Sequence, residues 1–144
     1  MCFAKFVNAD AVGEVGDAIK EKNMAIEIPG LDAGSGLGLC DGNEKIYLNS
    51  LRLFVSSTPE SLEKMQSVSQ ETLEKYSVTA HSVKSMSEYA GAEEVRKTAK
   101  ELEALAKAGD LAAVLAKNDA FIKYARGIVE GVRTWLAQNH PDDA

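Results

Sequence analysis

Apolar and polar residues alternate along the chain with a helical period and show no strand alternation of useful length after residue 43. Leu73, Tyr76, Ala80, Val83, Ser87 and Ala90 step by three and four, a mostly apolar seam at heptad spacing, as a bundle helix needs. Before it, Ile46, Tyr47, Ser50, Leu51 and Phe54 mark one apolar face, which Leu62, Met65 and Val68 continue. Within that stretch Thr58-Pro59-Glu60 has the form of a renewed helix start: a capping hydroxyl, a proline in the first turn and an early acid. Ser69 offers a further N-cap. After the seam, Gly91 ends or bends the helix. The next helix turns Val95, Ala99, Leu102 and Leu105 inward and stops at Gly109. Asp110 then caps a last helix bearing Leu111, Val114, Phe121, Ile122, Ala125, Ile128, Val129, Val132 and Leu136.

The pattern predicts four main helices over 43–68, 70–90, 92–108 and 110–138. Short connections make neighbours antiparallel, so the expected fold is an all-α, up-and-down four-helix bundle. A weaker helix over 8–22 carries Ala11, Val12, Val15, Ala18 and Ile19 at helical spacing, with Asn8 as a candidate cap. A glycine-rich linker over 23–42 leads into a short helix near Asp32. The expected division is an N-terminal helix and linker over 1–27, the bundle over 28–138 and a disordered tail over 139–144.

Composition narrows the function classes. The 144 residues are 45% apolar and 26% charged, which is globular, and only 6% aromatic, which suits closely packed helices. A net charge of −6 without a basic cluster argues against nucleic acid and anionic membranes as partners. No apolar run reaches the roughly 20 residues that span a bilayer. The start MCFAKFVNAD lacks the apolar core of a signal peptide. Cys2 and Cys40 form no CxxC and read as unpaired thiols in a reducing, cytoplasmic compartment. Gly34-Ser35-Gly36-Leu37-Gly38 is no nucleotide loop: no strand precedes it and Leu39 stands where GxGxxG needs glycine. No His/Cys pair has metal-ligand spacing, so neither metal nor cofactor is expected. Glu93-Glu94 and Glu101 to Glu103 read as a solvated helix face. Tyr47, Tyr76, Tyr124 and Trp135 read as packing.

Two histidines remain as candidate chemistry. His140 sits beside Pro141 in a polar tail. His81 follows the seam residue Ala80 by one position and so points about 100° off the core, toward solvent. Its helical neighbours are Ser77, Lys84, Ser85 and Glu88. Small residues would let another protein reach the ring, and a lysine one turn away can offset charge on a transferred phosphoryl group. Neutral imidazole is a competent nucleophile near neutral pH. Ser77, Ser85, Ser87 and Glu88 are therefore the expected docking face around His81 and Lys84.

The run Ala80-His81-Ser82-Val83-Lys84-Ser85-Met86-Ser87, followed by Gly91-Ala92-Glu93-Glu94-Val95, resembles the signature of histidine phosphotransfer (HPt) domains, His-x-Leu-Lys-Gly-x-Ser/Ala and then Gly-Ala-x-x-Leu. Val83 replaces the leucine and Ser85 the glycine. Ile28-Pro29-Gly30-Leu31-Asp32 resembles the family's entry segment, and Asp41 to Tyr47 its first long helix start. Lys100-Glu101-Leu102-Glu103 and Gly109-Asp110-Leu111 resemble its third helix and last turn, so the resemblance covers about 28 to 137.

The resemblance implies a phosphocarrier and not an enzyme. Nε2 of His81 would take a phosphoryl group from a receiver aspartate or a histidine kinase and pass it to a response-regulator receiver. Lys84 would stabilise the phosphoryl charge, and the partner would supply Mg²⁺ and most catalytic groups. Phe3-Ala4-Lys5-Phe6 and Asn8 to Val12 resemble the end of a receiver domain; a helix packed on the bundle is the other reading of that stretch. Two further functions stay open: a helical docking module that binds a receiver or kinase without carrying phosphate, and a structural bundle in which His81 is accidental.

Overall fold

The computed structural model describes residues 28–140, and they form helices joined by short turns, with no strand among them. A short helix α1 (Ala33–Leu39) precedes α2 (Glu44–Met65), α3 (Leu73–Ala90), α4 (Glu93–Lys107) and α5 (Leu111–Asn139), and a single 3₁₀ turn (Gln70–Thr72) leads into α3. α3 packs on α2 and α4, and α5 closes the ring against α2 and α4. This is the all-α bundle expected from the periodicity. No described helix is long and apolar enough to cross a membrane. The expected helix over 8–22, the receiver-like segment and residues 141–144 of the expected tail lie outside the described residues, while Asn139, placed in that tail, is the last residue of α5.

Local chemistry sets the helix ends. Asp32 and Asn43 accept hydrogen bonds from the amides of Ser35 and Ile46, each at 3.1 Å, so α1 and α2 start on side-chain caps. Asp110 caps α5 in the same way through the amide of Ala113. Ser69 and Thr72 close the turn before α3, the Thr72 hydroxyl accepting from the Ser69 amide at 2.8 Å. Gly91 ends α3 in the left-handed region, at φ 82°. A side chain at Gly91 would also run into the Asp32 carbonyl, while the Asp32 amide donates to the Gly91 carbonyl at 2.7 Å. The α3–α4 corner and α1 are thereby tied backbone to backbone. Nearby the Tyr47 hydroxyl donates to the Ala90 carbonyl at 2.7 Å, and its ring fills the space that Gly36 leaves open.

All six seam residues of α3 are buried, as are Leu51, Phe54, Leu62 and Met65 of α2 and Val114, Phe121, Ala125, Val129 and Val132 of α5. Each large side chain so enclosed contributes roughly 1.5–3 kcal/mol relative to exposure, and this shared core holds the helices together.

Several expectations fail in detail. α2 runs through Thr58-Pro59 without a restart, and Thr58 is fully buried instead of capping. A proline inside a helix removes one backbone bond, but tertiary packing on both sides of Pro59 holds the helix together. Ile46 is 49% exposed and Tyr124 44%, so neither belongs to the core. Leu105 is half-buried, and Ala106 takes the inward place beside Leu102.

Candidate functional site

His81 lies midway along α3, and its side chain is 57% exposed. The ring faces α4, where Glu103 meets it: Nδ1 is 3.0 Å from Oε2 of Glu103. Glu103 is 6% exposed, so its carboxylate is enclosed between the two helices. Three cationic or potentially cationic groups converge on it. Lys84 Nζ lies 3.2 Å from Oε1, Lys107 Nζ 2.9 Å from Oε2, and His81 completes the set.

Burial works against a charge on Glu103, but hydrogen bonds from Lys107, Lys84 and His81 outweigh it and lower the carboxyl from 4.5 to about 2. Glu103 is therefore an anion at neutral pH. An ionised carboxylate only accepts hydrogen bonds, so the His81 nitrogen facing it carries the proton. In the neutral ring Nε2 then holds the lone pair, on the side away from Glu103. The arrangement presents one nitrogen of a half-free ring and clamps the other.

The residues named from sequence separate into two groups. His81 and Glu88 are exposed on α3, with Lys84 and Ser85 half-buried between them. Ser77 and Ser87 do not reach that surface. Ser77 is 5% exposed and its hydroxyl donates to the Glu74 carbonyl at 2.7 Å; Ser87 is fully buried. Ser77 falls three to four residues from Leu73 and Ala80, inside the width of the apolar stripe, and Ser87 is a seam position seven residues after Ala80. Both are corrected from docking residues to interior ones. His140 packs its ring 5.5 Å from that of Trp135 and is remote in sequence from the Glu103 cluster.

Glu103 departs from the solvated acidic face expected for Glu101 to Glu103: the structure buries it against α3. The available signal was its spacing: Glu103 follows Ala99 by four and precedes Ala106 by three, the register of a core-facing flank, and it precedes Lys107 by four.

Against known proteins, residues 49–140 match the family model of the Hpt domain. No curated protein and no solved structure gives a match to the chain. The matched span runs from the first turns of α2 to the end of α5 and holds His81, Lys84, Glu103 and Lys107. Helical architecture and family model agree over most of the chain, which belongs to the Hpt domain family.

Proposed function

We propose that this chain is a phosphorelay intermediate that carries a phosphoryl group on Nε2 of His81. Hpt domains take part in phosphotransfer signalling as carriers, and the proposal assigns the acceptor and its neighbours in this member. The observation that carries it is the exposed His81 ring with Nδ1 held by the buried Glu103 carboxylate. A nucleophile needs one accessible lone pair in a fixed direction, and this contact provides both the tautomer and the orientation.

The donor is an aspartyl phosphate of a receiver domain or a histidine kinase, and the acceptor is the aspartate of a response-regulator receiver. The partner brings Mg²⁺ and the groups that activate its own aspartate. Lys84, 23% exposed and one turn from His81, offsets charge on the transferred group. Ser85 and Glu88 belong to the surface on which the partner sits. The compartment that fits such partners is the cytoplasm.

Incubation with a phosphorylated receiver domain tests the proposal. The wild type is expected to acquire acid-labile phosphate while the receiver loses it, and His81→Gln to acquire none while still folding. Label on both proteins, or on neither, contradicts the assignment.

A further inference from the structure

We propose that Glu103 keeps the Nδ1 proton on His81 after the ring is phosphorylated, and so keeps the phosphoryl group transferable at neutral and mildly alkaline pH. The inference rests on His81 being the phosphoacceptor and concerns what happens next.

The electron balance shows why the proton matters. In the forward step the Nε2 lone pair forms the N–P bond, the P–O bond to the donor carboxyl breaks, and that electron pair leaves with the carboxylate. No proton moves. The ring enters the step neutral, with hydrogen on Nδ1, and leaves it as an imidazolium bearing that same hydrogen. In the return step the N–P electron pair goes back to Nε2 and the leaving group is neutral imidazole. If Nδ1 loses its proton to solvent in between, the leaving group becomes an imidazolate, which departs far less readily. The phosphoryl group is then stored instead of passed on.

The groups around the ring decide between these outcomes. From α4, Glu103 contacts Nδ1 at 3.0 Å with an enclosed, ionised carboxylate, and Lys107 contacts the same oxygen at 2.9 Å. From α3 itself, Lys84 contacts the other oxygen at 3.2 Å. Among the described residues, the ion pairs that reach Glu103 come from α3 and α4. The two lysines oppose a positive ring, but they have a second anion to serve once a phosphoryl group arrives beside Lys84. The carboxylate at Nδ1 has no other hydrogen on the ring to hold. A carboxylate that accepts from an imidazole N–H stabilises the imidazolium and fixes the ring's tautomer, and such a charge-assisted bond is roughly twice as strong as one to a neutral acceptor. Glu103→Gln keeps an acceptor oxygen of similar size while removing the charge, which makes it the informative variant. Glu103 is a positioning residue, acting through His81.

The test uses the full chain phosphorylated with phosphoramidate, a small P–N donor that needs no partner, and follows loss of phosphate by ³¹P NMR across pH. Wild type is expected to release phosphate about tenfold faster than Glu103→Gln near pH 8.5 and at similar rates near pH 5.5, where solvent protonates both rings. Superimposable pH profiles, or a faster variant at high pH, overturn the inference while leaving His81 as the acceptor. Failure of the wild type to take up phosphate, or uptake by His81→Gln, instead overturns the reading beneath it. Ring ¹⁵N correlations on the phosphorylated wild type give a reading independent of the variant's folding. Nδ1 is expected to keep its proton at neutral and mildly alkaline pH, and loss of the proton there contradicts the inference.

Discussion

Helix α3 carries two polar clusters of opposite character. Five residues before His81, Tyr76 points inward and donates its hydroxyl to Asn118 Oδ1 of α5 at 2.6 Å, while Asn118 Nδ2 donates to the Met65 carbonyl at the end of α2 at 2.7 Å. Asn118 is 2% exposed and Tyr76 4%. This cluster is neutral, spans three helices and has its polar contacts satisfied inside the core. The His81 cluster is charged, spans α3 and α4, and leaves one ring nitrogen uncommitted at the surface. Buried neutral contacts fix how helices sit against one another, because an unmatched partner is costly there. A charged cluster at an edge can hold a reactive group in one orientation without enclosing it. The same helix is anchored at one point and presents chemistry at the other.

The largest effect expected from breaking this contrast is on stability. Asn118→Leu leaves the Tyr76 hydroxyl and the Met65 carbonyl without partners and is expected to cost about 2–6 kcal/mol in urea unfolding, at about 1–3 kcal/mol per orphaned group. Uptake of phosphate by the folded fraction should be unchanged. Adding Tyr76→Phe removes one orphan and should recover part of the loss. An Asn118→Leu protein of wild-type stability would show that the inner cluster anchors nothing.

A smaller effect is expected at the outer cluster in acid. Glu103 has its folded carboxyl lowered from 4.5 to about 2, so its stabilisation is present above the unfolded value and is lost as pH falls from about 4.5 through about 2. Lys107 is 65% exposed and its share is screened by solvent, which leaves on the order of 1–2 kcal/mol. Unfolding measured at about pH 6 and about pH 3 should show a steeper loss for wild type than for Glu103→Gln. Equal slopes would mean that the three contacts on Glu103 do not act together.

The two clusters also differ in how far they could be read from the sequence. The α3 seam, the glycine stops at Gly91 and Gly109 and the Asp110 cap were legible because each depends on local spacing or local backbone geometry. His81 was legible as an outward residue for the same reason, one step off Ala80. The identity of what faces it was not. Periodicity says which side of α4 is apolar, but the flank beside the seam turns toward α3 or toward solvent according to how the helices pack, and Glu103 lies on that flank. Ser77 and Ser87 show the converse: small polar residues suggest a surface, but their positions fall within the buried stripe. Thr58-Pro59 shows local signals losing to packing, since a capping hydroxyl and a proline did not restart a helix already held on both sides. Asn118, which anchors three helices, carries no distinguishing pattern at all, because its two partners are 42 and 53 residues away in the chain.

The position of the phosphate tests the role of His81 most directly. After transfer from a phosphorylated receiver and proteolysis under neutral or mildly alkaline conditions, mass spectrometry should find the modification on the α3 peptide that contains His81, with fragments placing it on that residue and with none on the peptide containing His140. Phosphate on His140, or on a serine of α3 with His81 unmodified, would contradict the account.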